Sequence, residues 1–269
     1  MPVLSVFLSA MRLMLKANYI GISVGVILAV ALSSTLSAYF GGRQPATVAL
    51  DVGFSTIRIL LPLLLVFLVQ DLFSREFDKR FYLGALSYPH LRWVFLVGRV
   101  AAILVGLLLL LLVLAVVLAV LVELAGNFYP QATPVVLGGG YVAVFIFMAL
   151  DFFVLTAVAV LVAMVASTPS FVMIGTFGFM LVARSYASII DLLTRDAGLV
   201  VNAEGYRAGL GVLGYLLPDL GALDIRMLAL YGKSEFLPLD WPWLILSNFG
   251  YALALLGLAI WVFERKRFS

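Results

Sequence analysis

Long uncharged apolar stretches, interrupted by short polar connections, dominate the chain. They predict six helices near residues 19–40, 52–71, 93–122, 140–166, 170–193 and 243–263. A helix crosses a bilayer with about 20 apolar residues, and a barrel strand would instead alternate over about 10. The stretch from Val100 to Val122 is the least ambiguous. Three of the others carry polar interruptions: Arg58 and Pro62 in the second, Asp151 in the fourth and Arg184 in the fifth. Ahead of the first span, Leu4, Phe7, Leu8, Met11 and Leu15 recur at helical spacing with Arg12 and Lys16 adjoining. That pattern predicts a helix over residues 1–18 lying at the membrane interface, or else an extension of the first span. The run after Lys16 is too long for a secretory signal, and Leu36 stands where cleavage requires a small residue, so an uncleaved span is expected.

Composition agrees with this pattern. The 269 residues are 64% hydrophobic and 12% charged, against about 45–50% and about 25% in a soluble domain. The expected fold is therefore an all-α integral membrane protein, a single transmembrane domain over 1–269 with six spans and an N-terminal interfacial helix. Zero cysteines exclude a disulfide framework and a zinc-thiolate centre, and the lone His90 argues against a histidine metal cluster.

The positions of the charges predict orientation. Arg12, Lys16, Arg75, Lys79, Arg80, Arg92, Arg99, Arg265, Lys266 and Arg267 fall on one side of the six-span layout. Arg43, Arg195, Arg207, Arg226 and Lys233 fall on the other, and four of these lie in one long connection, which weighs less. Both termini are expected in the cytoplasm. Between the last two spans, 194–240 reads as an amphipathic segment on the outer surface. Tyr206 to Leu217 and Ile225 to Tyr231 carry helical spacing, and Trp241 and Trp243 mark the outer interface.

Two groups of residues are candidates for function. The cytoplasmic connection 72–92 alternates charge over Arg75, Glu76, Asp78, Lys79 and Arg80, then turns apolar at Phe81, Tyr82 and Leu83 before Pro89. It is either a short surface helix that meets a cytosolic partner or a solvated loop. The second group is Arg58, Asp151, Arg184 and Asp191. At about 1.5 Å rise per residue, Asp151 and Arg184 lie roughly 15 and 14 Å below the outer ends of their helices, at one level, and Arg58 roughly 8 Å below its own. Charges at such depth cost about 2.5–3.5 kcal/mol each on insertion scales. They are expected either to pair, Asp151 with Arg184 and Arg58 with Asp191, or to line a cavity that holds an anionic headgroup or substrate. A stripe of small residues, Gly21, Gly25, Ala29, Ser33 and Ser37, marks a packing face of the first span, within the subunit or across a dimer. Gly175, Gly178, Gly250 and Gly257 suggest similar packing.

The order of these features resembles the permeases of ABC-2 type transporters. The resemblance rests on the mixed-charge segment after the second span, on Leu83-Gly84-Ala85-Leu86-Ser87 with Pro89 and Arg92, and on Gly98-Arg99 opening the third span. The basic tail Glu264 to Phe268 and the segment Leu217 to Gly232 extend it. Lys79-Arg80-Phe81 and Arg99 depart from the family pattern, which usually has Gly-Thr and Lys there. The resemblance implies a permease subunit of an ABC exporter in a bacterial inner membrane, paired with a second permease copy or paralogue. It also implies a coupling segment at Arg75, Glu76, Asp78, Lys79 and Arg80 that seats in an ATPase subunit. The chain has no phosphate-binding loop. ATP and magnesium would therefore belong to that partner, with no cofactor and no covalent chemistry in this chain. The rival implication is a mechanotransmitting subunit that passes ATP-driven motion to a periplasmic protein without moving a solute. An unrelated intramembrane enzyme or scaffold is the other rival. A secondary transporter fits less well, since the two halves show no repeat and no paired broken helices.

Overall fold

The computed structural model describes residues 2–74, 92–127, 135, 137–166, 168–195 and 217–265, and side chains for all of these except 2, 74, 92 and 187–195. The described residues are helical and contain no strand. In chain order the helices are α1 (Pro2–Lys16), α2 (Tyr19–Phe40), α3 (Pro45–Val69), α4 (Arg92–Gly126), α5 (Gly139–Val165), α6 (Pro169–Arg195), α7 (Arg226–Tyr231) and α8 (Trp241–Arg265). Five stretches among the described residues are long and apolar enough to cross a membrane. They are Tyr19–Phe40, Pro45–Phe73, Trp93–Gly126, Gly139–Val165 and Ser234–Arg265. The protein is thus an α-helical, multi-pass membrane protein. The sixth expected span, 170–193, forms the helix α6, part of which carries side chains outside the described set, and α6 is not among the five.

Most boundaries fall close to the hydrophobic pattern, but α3 begins seven residues earlier than the apolar run suggested. Pro45 supplies the first helical turn, where its missing N–H costs nothing. Asp51 then lies inside the helix instead of ending it. The helix also runs through Pro62, and past Val69 it widens into a π turn over Gln70–Ser74.

One end of the bundle gathers α1, the π turn, and the ends of α4, α5, α6 and α8. The buried Arg99 guanidinium donates to the Leu72 carbonyl and lies 3.9 Å from the centroid of the Phe95 ring. Phe95 stacks on Phe263 at 6.0 Å, and Gln70 Nε2 donates to the Pro169 carbonyl at 2.8 Å. The helix α1 is distinct from α2, because Asn18 between them adopts a left-handed φ of 67°. It runs in the same direction as α4, with Val6 over Gly98 and Met14 over Gly106. Side-chain Cβ atoms at those two glycines would sit 2.8 and 2.7 Å from Val6 and Met14, so the missing Cβ is what permits the approach. Tyr19 then bonds its hydroxyl to the Gly106 carbonyl at 2.7 Å.

Within the chain, the glycine end of the α2 stripe does not pack on a neighbouring helix, whereas its Ser33 hydroxyl meets that of Thr56 on α3 at 3.1 Å. Buried on α2 are Ser23, Val26, Val30 and Ser34, while Gly21 and Gly25 are exposed and a Cβ at Gly25 would meet nothing within 4 Å. The close approach lies on the neighbour instead: at Gly53 of α3 an added Cβ would collide with Leu118 and Ser34. Gly175 does pack, against Val162, whereas Gly178, Gly250 and Gly257 face open space. A helix in lipid needs a small residue only where a neighbour's side chain arrives, and periodicity along one helix does not reveal that.

Candidate functional site

At the end of the bundle opposite α1, the segment 217–231 folds back over α3, α5 and α6. Leu220, Leu223 and Ile225 are buried and anchor it, and an Asp219 carboxylate accepts the Ala222 N–H at 3.0 Å to close a turn. Gly221 lies against the Arg184 carbonyl so closely that a Cβ would come within 2.7 Å of that oxygen. Gly140 meets the Leu228 carbonyl in the same way, at 3.1 Å. Two glycines thus let this segment touch the backbones of two long helices.

Within this region six charged side chains alternate in sign. Asp51 meets Arg226 at 3.0 Å, and Arg226 meets Asp224 at 3.0 Å. Asp224 forms an ion pair with Arg58, Arg58 lies 3.8 Å from Asp151, and Asp151 meets Arg184 at 2.5 Å. The ladder sinks as it goes: the Asp51 side chain is 47% exposed, Asp224 20% and Asp151 1%. Asp51, Ser55 and Arg58 share one face of α3 at spacings of four and three, so one helix supplies both the rim and the interior. Ser55 Oγ accepts from Arg226 at 2.7 Å, and Arg58 and Arg184 donate to the carbonyls of Leu220 and Arg58 at 3.3 and 3.0 Å.

Such alternation answers the cost of charge at depth. Removing one partner of a buried pair leaves an uncompensated ion, at a cost of about 3–5 kcal/mol, whereas a matched set avoids that penalty. Two buried atoms of the ladder, Asp151 Oδ1 and Arg184 Nε, have no hydrogen-bond partner among the described residues. Beside the ladder opens a recess of about 650 Å³ lined by Ser55, Arg58, Ile59, Arg184, Asp224 and Arg226, with Gly221 and Ala222 at its wall.

Of the residues predicted from sequence, Arg58, Asp151 and Arg184 come together here. Arg58 meets Asp151 and Asp224, whereas the side chain of Asp191, its expected partner, lies outside the described residues. Arg75, Glu76, Asp78, Lys79 and Arg80 also lie outside them. The sequence reading did not single out Asp51, Asp224 or Arg226 as site residues. The spacing of Asp51 and Arg58 on one helix was a usable signal, but the fold-back of 217–231 was not visible in it. Among the described residues there is no group of three or more His, Cys, Asp or Glu that could hold a metal ion. No protein-family model matches the chain, and no curated protein matches it.

Proposed function

We propose that this chain is the permease subunit of an ABC exporter of the ABC-2 type, driven by a separate ATPase subunit and working beside a second permease. The observation that carries the reading is the convergence at the α1 end. There the π turn 70–74 and the start of α4 pack together through Leu72, Arg99 and Phe95, α1 lies on α4 with Val6 over Gly98, and the end of α8 joins them through Phe263. The segment 75–91 connects the π turn to the start of α4, both parts of this braced platform, and Arg12 and Lys16 lie on α1 and Arg265 at the end of α8. The concentration of basic residues makes this the cytoplasmic face. A load applied to 75–91 would pass through the π turn into α3 and through Arg99 into α4.

A second reading, transmission of ATP-driven motion to a periplasmic partner, is favoured by the charge ladder. It ties the segment 217–231 directly to α3, and movement of α3 would carry that segment with it. Reconstitution with an ATPase encoded beside this chain tests the first reading. In proteoliposomes the chain is expected to stimulate ATP hydrolysis, and replacing Arg75, Glu76, Asp78, Lys79 and Arg80 together by serine is expected to abolish the stimulation. Unchanged stimulation in that variant overturns the assignment of the coupling segment. Hydrolysis coupled to work on an added periplasmic protein, without flux of any solute, favours the second reading.

A further inference from the structure

We propose that the recess beside the ladder is a binding site for an anionic phosphate group, and that Asp224 is the built-in stand-in that holds it shut. Of the charged side chains that line the recess among the described residues, Arg58, Arg184 and Arg226 are positive and Asp224 is negative. Asp51 and Asp151 serve the same arginines from the rim and from beneath, outside the lining. The described lining therefore carries more guanidinium than carboxylate groups, with Asp224 bridging Arg58 and Arg226 across it.

The geometry makes the segment 217–231 a latch. Asp224 lies two residues before Arg226 on that segment, while Arg58 belongs to α3. If the segment lifts, Asp224 and Arg226 leave together: Asp51 at the rim loses its partner, and deeper in, Arg58 and Arg184 share Asp151, so the excess positive charge is local to the inner end of the ladder. A second anion can then take the place of Asp224 there. A phosphate group suits the vacancy, since its oxygens accept the forked N–H pairs of guanidinium groups. Arg184 also contributes to the lining. At about 30 Å³ per water, a volume of about 650 Å³ has room for a lipid headgroup as well as for a free phosphate. The same chemistry is offered by both sources. The inference rests only on membrane placement of the ladder, so its failure would leave the transport reading standing.

The chain has no cysteine, so a single Ala222→Cys reports on the recess wall. Full-length protein in dodecyl maltoside micelles, which carry no phosphate, is treated with a charged maleimide in sodium chloride. The treatment is then repeated with inorganic phosphate at equal ionic strength, and again in the same micelles with added phosphatidylglycerol. Phosphate or phosphatidylglycerol is expected to speed labelling by about tenfold over chloride as the latch population shifts. Acceleration by the lipid alone identifies a headgroup site, and acceleration by phosphate identifies a site open to free anions. Rates equal to those in chloride under both conditions overturn the proposal, and this arm leaves the ladder intact. Adding Asp224→Asn, checked for monodispersity, is expected to give the fast rate without either anion; labelling at the parent rate overturns the stand-in role.

Discussion

Asp151→Asn is the perturbation that reads the ladder most directly. The carboxylate is 1% exposed, meets Arg184 at 2.5 Å and lies 3.8 Å from Arg58, and the amide keeps its shape while removing its charge. Arg184 would then lose its carboxylate partner and Arg58 would keep Asp224, and truncating one partner of a buried ion pair costs about 3–5 kcal/mol. Arg184→Gln also breaks the 2.5 Å pair, but Arg58 stays near the carboxylate, so its loss should be smaller. Since both substitutions remove the same contact, the double variant should lose less than the sum, with a coupling of about 1–3 kcal/mol. Unfolding in mixed micelles with increasing sodium dodecyl sulfate, followed by the fluorescence of the four tryptophans, measures all three variants against the parent. A loss below about 1 kcal/mol for Asp151→Asn, the range of exposed ion pairs, would show that water reaches the ladder and would refute the burial argument.

Other expectations are simpler. Gly53→Ala should destabilise the same unfolding transition by about 1–3 kcal/mol, because the new methyl collides with Leu118 and Ser34. Gly250→Ala, facing open space, should stay within about 0.5 kcal/mol of the parent. Tyr141→Phe removes a hydroxyl that donates to the Ala115 carbonyl at 2.5 Å, and a loss of about 1 kcal/mol is expected. In intact cells, a single cysteine at Leu239, which is 99% exposed, should react with an impermeant maleimide; one at Leu4 should react only after permeabilisation. The opposite pattern would reverse the orientation.

What the chain disclosed in advance follows from how local each feature is. Span positions depend on apolar length, so 19–40 was readable to the residue. Asp151 and Arg184 could be placed at one level from helical rise, since each lies at a similar depth below the outer end of its helix. The partners of Arg58 could not, because Asp224 reaches it only through a fold-back anchored by Leu220, Leu223 and Ile225. Asp51 looked like a boundary charge, and only Arg226 from the far end of the sequence explains how the helix tolerates it. The packing glycines were legible only in part for a related reason. Gly21 and Gly25 meet no neighbouring helix within the chain, whereas Gly175 packs on Val162, and Gly98 and Gly106 receive α1.

The central claim is that the segment leaving the α1 platform engages an ATPase. A photo-crosslinking amino acid placed at Lys79 in the otherwise native chain tests this in growing cells. The account predicts an adduct with a protein that carries a nucleotide-binding phosphate loop, and no such adduct from the same probe at Leu239. An absence of that adduct at Lys79, or its appearance only from Leu239, would contradict the account.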